Sequence, residues 1–232
     1  MRLRVFIRKA HRWLGLIIGL QVLFWVSGGL LMSSFPIEQV HGDHLKKELT
    51  PAKLDMNKLY SLAAVVESSN LNVIETRIKM GFYGPQYRLM DSEQKFHFFD
   101  ALSGKVLPPL NETQAIEIAQ AQYAGSAAVF SSEMITDNST EYRKRLPAWR
   151  VEFDDSESST LYIAMDNGQL TSVRNSMWRV FDFFWMLHIM DYEERDDFNN
   201  WLLIISAAIA LLFTLSGGYL VVKSFKRKDF GL

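Results

Sequence analysis

No cysteine occurs among the 232 residues. That single absence excludes disulfides, thiolate metal sites, cysteine nucleophiles and Cys-ligated iron–sulfur clusters. It leaves the compartment open, because a cysteine-free chain suits oxidising and reducing surroundings alike. An excess of one charge sign is also lacking. The chain has 25 Lys and Arg against 26 Asp and Glu, a formal net charge of −1, so there is no broad basic field of the kind that binds nucleic acid. H-E-x-x-H, the P-loop, G-x-G-x-x-G and G-x-S-x-G are all missing. The run Glu152, Asp154, Asp155 and Glu157 reads as solvated charge at a strand end rather than a carboxylate pair for acid–base work. No catalytic constellation is left in this chain, which favours a non-enzyme and leaves the question open.

What is present is apolar sequence gathered at the two ends. Trp13 to Phe35 carries no charged residue and Gln21 is its one strongly polar side chain. About 23 residues make ~34 Å of helix, enough to cross a bilayer with some tilt. A second uncharged run extends from Trp201 to Val222. Trp13, Trp201 and Tyr219 stand near the ends of these runs, where interfacial aromatics belong. The first run is too long for a cleaved signal core, and no A-x-A-like site follows it, so it is expected to stay as an anchor. Arg2, Arg4, Arg8, Lys9 and Arg12 precede the first run; Lys223, Lys226, Arg227 and Lys228 follow the second. Basic flanks stay in the cytoplasm, which places both termini there and the intervening residues outside. Gly15 and Gly19 form a G-x-x-x-G, joined by Ser27, Gly28 and Gly29. Ala207, Ala208, Ala210, Ser216, Gly217 and Gly218 lie on the second run. Small residues let helix backbones approach, so these faces are expected to pack on each other or on a partner.

Between the spans, helical periodicity over Leu54–Asn70 is followed by strand-like runs at Val73–Met80, Gln86–Met90 and Lys95–Phe99, with Gly84-Pro85 and Asp91-Ser92-Glu93 as turns. The order then recurs. Asn111 caps a helix over Thr113–Tyr123, and strands follow at Ala127–Ile135, Trp149–Phe153 and Thr160–Met165. Thr171–Val173 pairs back after Asp166-Asn167-Gly168. Asp137–Arg145 reads as an exposed loop. A helix and about three antiparallel strands, twice, predict an α+β domain of two repeats, each burying one sheet face under one helix. From Ser176 to Tyr192, Met177, Phe181, Phe184, Trp185 and His188 form one stripe interrupted by Arg179 and Asp182. This reads as an interfacial helix on the outer leaflet, or as an amphipathic helix packed on the soluble domain. An acidic collar follows at Asp191, Glu193, Glu194, Asp196 and Asp197, with Asp197 placed to cap the second span.

Three motifs carry a family resemblance. Lys9-Ala10-His11-Arg12-Trp13-Leu14-Gly15-Leu16 is similar to the opening of PepSY-associated transmembrane proteins. Pro147-Ala148-Trp149-Arg150-Val151 with Leu161-Tyr162-Ile163 and Asn167-Gly168 resembles a PepSY strand pair and its turn. Leu187-His188-Ile189-Met190-Asp191-Tyr192, followed by Phe198-Asn199-Asn200, resembles the approach to a later membrane helix in PepSY proteins associated with flavin-dependent or ferric reductases. The resemblance implies a bacterial inner-membrane protein with a periplasmic domain of tandem PepSY-like units at 36–107 and 108–175. These would be flanked by a basic segment at 1–12, spans at 13–35 and 201–222, an interfacial segment at 176–200 and a basic tail at 223–232. Relatives include subunits of membrane reductases, some with b-type haem between membrane histidines; PepSY modules elsewhere act as binding or inhibitory domains. This chain has two spans rather than four or more, and no flavin or nicotinamide domain.

The resemblance makes haem b the cofactor to consider, with His11 and His188 as candidate ligands. The topology puts them on opposite sides of the membrane, ~30 Å apart, too far to share one iron. Each would need a second histidine from elsewhere. His41 and His44 follow the first span and could approach His188, or could bind a metal with Asp43 as His41-Gly42-Asp43-His44. The plainer readings are a membrane-edge anchor for His188, membership of the basic headgroup cluster for His11, and a surface position for His97. Two functions therefore stand. One is a non-catalytic binding or assembly module, held in the bilayer beside a membrane partner or as a homo-oligomer. The other is a b-haem electron-transfer subunit of a ferric or flavin-linked reductase. Protease inhibition is a weaker third.

Overall fold

A computed structural model describes residues 2–47 and 53–224. In chain order the elements are α1 (Arg2–Ser34), α2 (Ile37–Val40), α3 (Leu62–Ser69), β1 (Val73–Gly81), β2 (Gly84–Asp91), β3 (Phe96–Asp100), α4 (Glu112–Gln122), β4 (Val129–Ile135), β5 (Ala148–Phe153), β6 (Thr160–Ala164), β7 (Leu170–Arg174), α5 (Ser176–Ile189) and α6 (Trp201–Ser224). They divide into two compact units: residues 1–36 with 179–232, and residues 37–178. Lys226, Arg227 and Lys228 of the basic tail lie outside the described residues.

In the helical unit, α1 and α6 are both long and apolar enough to cross a membrane. They run antiparallel and meet through the small residues. A Cβ on Gly15 would come within 3.0 Å of the Phe213 ring, and one on Gly217 within 3.1 Å of the His11 ring. Gly19, Gly29 and Gly218 have nothing within 4 Å, so only part of the small-residue set serves this contact. The pairing of His11 with Ser216 and of Gly15 with Phe213 fixes the register, and Trp25 and Leu203 line one cavity in keeping with it. It also staggers the two uncharged runs: they lie side by side over only about 15 residues, ~22 Å of helix. Trp201 opens α6 level with about residue 27 of α1, and α5 accompanies that part of α1 instead. Gln21 Nε2 donates to the Leu187 carbonyl at 2.9 Å, Trp25 Nε1 donates to the His188 carbonyl at 2.8 Å, and Phe184 packs against Gly28. Residues 179–189 of the aromatic helix are thus a packing partner of the first long helix.

The turn from α5 to α6 is organised by one carboxylate. Asp191 accepts from the backbone N–H groups of Glu193 and Glu194 with one oxygen, and from those of Asp196 and Asp197 with the other. The cap of α6 is Asn200, whose Oδ1 accepts from Leu203 N at 2.8 Å. Asp197 bonds Asn199 N one step earlier, so the expectation of an Asp197 cap is corrected: the chain needs three more residues to turn into the helix.

In the central unit the sheets follow the alternation of the sequence. β1-β2-β3 form a three-stranded antiparallel sheet and β4-β5-β6-β7 a four-stranded one. The expected helix over Leu54–Asn70 shortens to α3, because Tyr60 N–H donates to the Ala101 carbonyl and Asp55 caps a separate 3-10 turn at Met56–Lys58. Gly84-Pro85 pairs with Met80 and Gly81 inside the hairpin; the turn is Phe82-Tyr83. Gly84 takes φ 140°, a value that side chains disfavour. α3 buries Val65 against Tyr87, Leu89, Phe99 and Ala101. α4 starts in a full capping box, Asn111 with Gln114. It buries Ile118 and Ala119 on Val151, Phe153, Leu161, Ile163 and Val173.

The expected loop at Asp137–Arg145 is exposed over 137–140 and at Lys144, but its Tyr142 serves as a cover. Tyr142 is fully buried and stacks on Tyr162 with ring centroids 4.4 Å apart, closing the second face of the four-stranded sheet with Ala148. Its hydroxyl donates to the Arg145 carbonyl and meets Thr171 Oγ1. Arg145 itself pairs with Asp166 and lies over the rings of Phe96 and Phe98, tying β3 to the turn after β6.

Candidate functional site

His11 lies on the face of α1 that meets α6. Its Nδ1 is 2.8 Å from Ser216 Oγ and 3.2 Å from the Phe213 carbonyl, and its ring stacks on Phe213 with centroids 4.4 Å apart and planes 3° from parallel. Gly217 gives the ring room. The side chain is a polar link between the two helices and does not join the exposed basic residues around it.

His188 lies near the C-terminal end of α5, about 14 residues of α1 away from His11 as judged by Trp25, hence ~21 Å along the helix axis. With Trp25, Trp185, Ile189, Phe198 and Leu203 it lines an open, mostly apolar cavity of about 490 Å³. Polar contacts brace the wall: Trp185 Nε1 donates to the Arg195 carbonyl, Arg195 pairs with Asp182, and Asn200 Nδ2 donates to the Ile189 carbonyl. Asp191 holds the turn beside it, and its pKa falls to about 2 because the Asp197 N–H, followed by those of Asp196, Glu194 and Glu193, stabilises the carboxylate against the opposing effect of burial. His188 Nδ1 is buried without a hydrogen-bond partner. That favours the tautomer with the proton on Nε2, since a buried N–H without an acceptor costs about 1–3 kcal/mol.

His41 and His44 belong to the central unit. His44 Nε2 lies 3.0 Å from Glu157 Oε2, both groups being well exposed. Asp43, the carboxylate of the suggested chelate, pairs with Lys46, which lowers its pKa. Among the described residues no group of three or more His, Asp or Glu is placed to hold a metal.

His97, expected at the surface, is half-buried and paired. Its Nε2 donates to Asp91 Oδ2 at 2.7 Å with both side chains mostly covered. The bond to His97, then the Lys95 and Glu93 backbone N–H groups, hold the Asp91 carboxyl below its ordinary value. His97 also lines an open cavity of about 560 Å³ with Phe96, Phe98, Lys105 and Asp166. Burial raises the pKa of Asp166, against the opposing pull of Arg145. The one signal available was Asp91 two residues beyond Leu89, where a hairpin brings it back to position 97. Arg150 is held between Glu133 and Glu152.

The profile of the PepSY-associated TM region matches residues 8–232, nearly the whole chain. The chain belongs to that family. It is a membrane-anchored PepSY-type protein with two apolar helices of spanning length, one at each end of the described chain. No curated protein and no solved structure matches it.

Proposed function

We propose that this PepSY-family chain is a non-catalytic binding or assembly module of a bacterial inner-membrane complex. Its termini are cytoplasmic, and its central residues form two PepSY-like units on the periplasmic side that bind or position a partner. The basic flanks support the orientation, and the recurring helix-then-sheet order supports the tandem reading. The observation that carries the proposal is the separation and engagement of the histidines. His11 is bonded into the α1–α6 contact, His44 is paired with Glu157, and ~21 Å of helix separates His11 from His188.

A second reading, a b-haem electron-transfer subunit, is favoured by one feature: His188 in an aromatic cavity with an accessible Nε2. Haem would supply one-electron transfer. The fit within one chain is incomplete. The helical unit offers one ligand at that cavity, and ligation through Nε2 would leave a buried Nδ1–H without the acceptor that ligating histidines ordinarily have. A second axial ligand would have to come from another copy or another subunit.

A reduced-minus-oxidised visible spectrum of protein purified in mild detergent from haem-replete cells separates the two. The binding reading expects a featureless difference spectrum from folded protein. Sharp b-type bands that vanish in His188→Ala would overturn it in favour of the haem subunit.

A further inference from the structure

The register of α1 on α6 puts three cations where a water-facing basic tail would not be. Lys223, which ends the apolar run of α6, is level with about residue 5 of α1. Arg8, Lys9 and Arg12 are therefore one to two turns deeper along the helix pair, Arg12 by ~10 Å. Leu3, Val5 and Phe6 lie on the far side of them and are 62%, 48% and 68% exposed, and Trp13 follows them at 60%. Arg4, also exposed, stands among those apolar side chains, so Arg8, Lys9 and Arg12 are the inner part of a mixed basic and apolar segment, alongside the part of α6 that contains Tyr219, Leu220 and Val222.

Their spacing makes them neighbours. Arg8 and Arg12 are four apart and Lys9 and Arg12 three apart, so all three project from one flank of α1. They are exposed and have no ion pair or hydrogen bond among the described residues. Like charges so placed repel, and a bound anion converts that repulsion into attraction. His11, between them in sequence, turns to α6 and adds nothing to the flank.

We propose that Arg8, Lys9 and Arg12 form a binding site for the phosphate of an anionic phospholipid, with its acyl chains along the exposed apolar surface of the helix pair. The depth of the three cations selects this occupant: a phosphate at that level belongs to a molecule that itself lies in the bilayer, and guanidinium and ammonium groups can reach back from apolar stems to the headgroup layer. Arg binds the phosphate oxygens as a fork, and Lys adds a point charge.

The test compares the full chain in nanodiscs of phosphatidylcholine alone and of phosphatidylcholine with phosphatidylglycerol, read by thermal unfolding and by lipid retention in native mass spectrometry. The wild type is expected to unfold at higher temperature with phosphatidylglycerol and to retain it. The triple variant Arg8→Gln, Lys9→Gln, Arg12→Gln should bind it on the order of 10- to 100-fold less tightly. Arg8→Lys with Arg12→Lys, which keeps the charge, should recover part of the preference and controls for misfolding. Equal phosphatidylglycerol retention by wild type and triple variant overturns the proposal. So does reproduction of the full stabilisation by inorganic phosphate in phosphatidylcholine discs, which would make the site one for a free anion.

Discussion

Val65, Leu89, Ile118, Val151, Leu161 and Ile163 of the central unit expose no surface, while Leu16, Ile17, Leu20 and Leu23 of α1 in the helical unit are each more than half exposed. The two units bury opposite things. The central unit removes aliphatic side chains from water and leaves its charges paired at the surface, as with Arg150 between Glu133 and Glu152. The helical unit turns its aliphatic side chains outward and places small or polar groups at its contacts: Gly15, Gly217, Ser206, His11 with Ser216, Gln21 with the Leu187 carbonyl and Trp25 with the His188 carbonyl. In a lipid surround apolar exposure costs nothing, and association depends on close backbone approach and a few hydrogen bonds. The contrast is what two solvents demand of one chain.

The sharpest way to break this contrast is to cut the same side chain in both units. Leu161→Ala, at a position with no exposed surface, should destabilise the central unit by about 2–5 kcal/mol. Leu20→Ala on the outward face of α1 should change stability by no more than about 0.5 kcal/mol. Chemical denaturation of the full chain in detergent reads both; comparable losses would mean that α1 is packed on its outer face as well. Next in size is a glycine pair. Gly15→Val drives a side chain into Phe213 and should cost about 1–3 kcal/mol as an overpacked contact. Gly19→Ala meets nothing within 4 Å and should leave thermal unfolding unchanged, although both glycines belong to one G-x-x-x-G.

That pair also shows where the sequence was legible. The motif announced a packing face but could not say which glycine would be used, since that depends on the register between helices 200 residues apart in sequence. The spans, the antiparallel strands and the Asn111 cap were readable because period-2 and period-3.6 alternation and capping chemistry are local. β2 shows it well, with every second side chain buried. β6 is buried at all five positions, and its second cover, Tyr142, sits in a polar stretch with no period. A single aromatic in a charged loop looks like surface until the partner ring is known. At the candidate site, His188 and its aromatic neighbours were visible as a stripe, whereas Trp25 and Leu203 come from other helices. His97 with Asp91 depended on hairpin register. His11 looked like one more member of a basic cluster because a helix face is set by what packs on it.

Titration gives a smaller, global readout from the central unit. Burial foremost, then neighbouring carboxylates, raises Tyr83 and Tyr123 to about 12; burial does the same for Tyr162, aided by Glu141. The folded state holds these protons where the unfolded state releases them, so the associated stability is complete below pH 10 and is lost as pH rises toward about 12. Burial also raises Tyr142, so ultraviolet absorbance of tyrosinate should show a delayed step of four groups out of eight tyrosines. Ionisation of these groups near pH 10 while the protein is still folded would show that the sheet unit is wetter than its packing implies.

The smallest effect should come from Asp191, the group that defines the turn of the helical unit. Its carboxylate accepts four backbone N–H groups, two on each oxygen, and its pKa lies at about 2. The folded pKa is depressed, so its contribution is complete above the ordinary carboxylate value of 3.8 and disappears as pH falls toward about 2. Asp191→Asn keeps the size but offers one oxygen in place of two, leaving two of the four N–H groups to water. The long helices do not depend on those bonds, so helicity and global unfolding should stay put while amide exchange accelerates at Glu193, Glu194, Asp196 and Asp197. Asn200, which caps α6 through its own Oδ1, should keep Leu203 protected. Faster exchange reaching into α6 would instead show that the turn and the helix open as one piece, and that a polar knot at the head of α6 governs the whole unit as Leu161 governs the sheet.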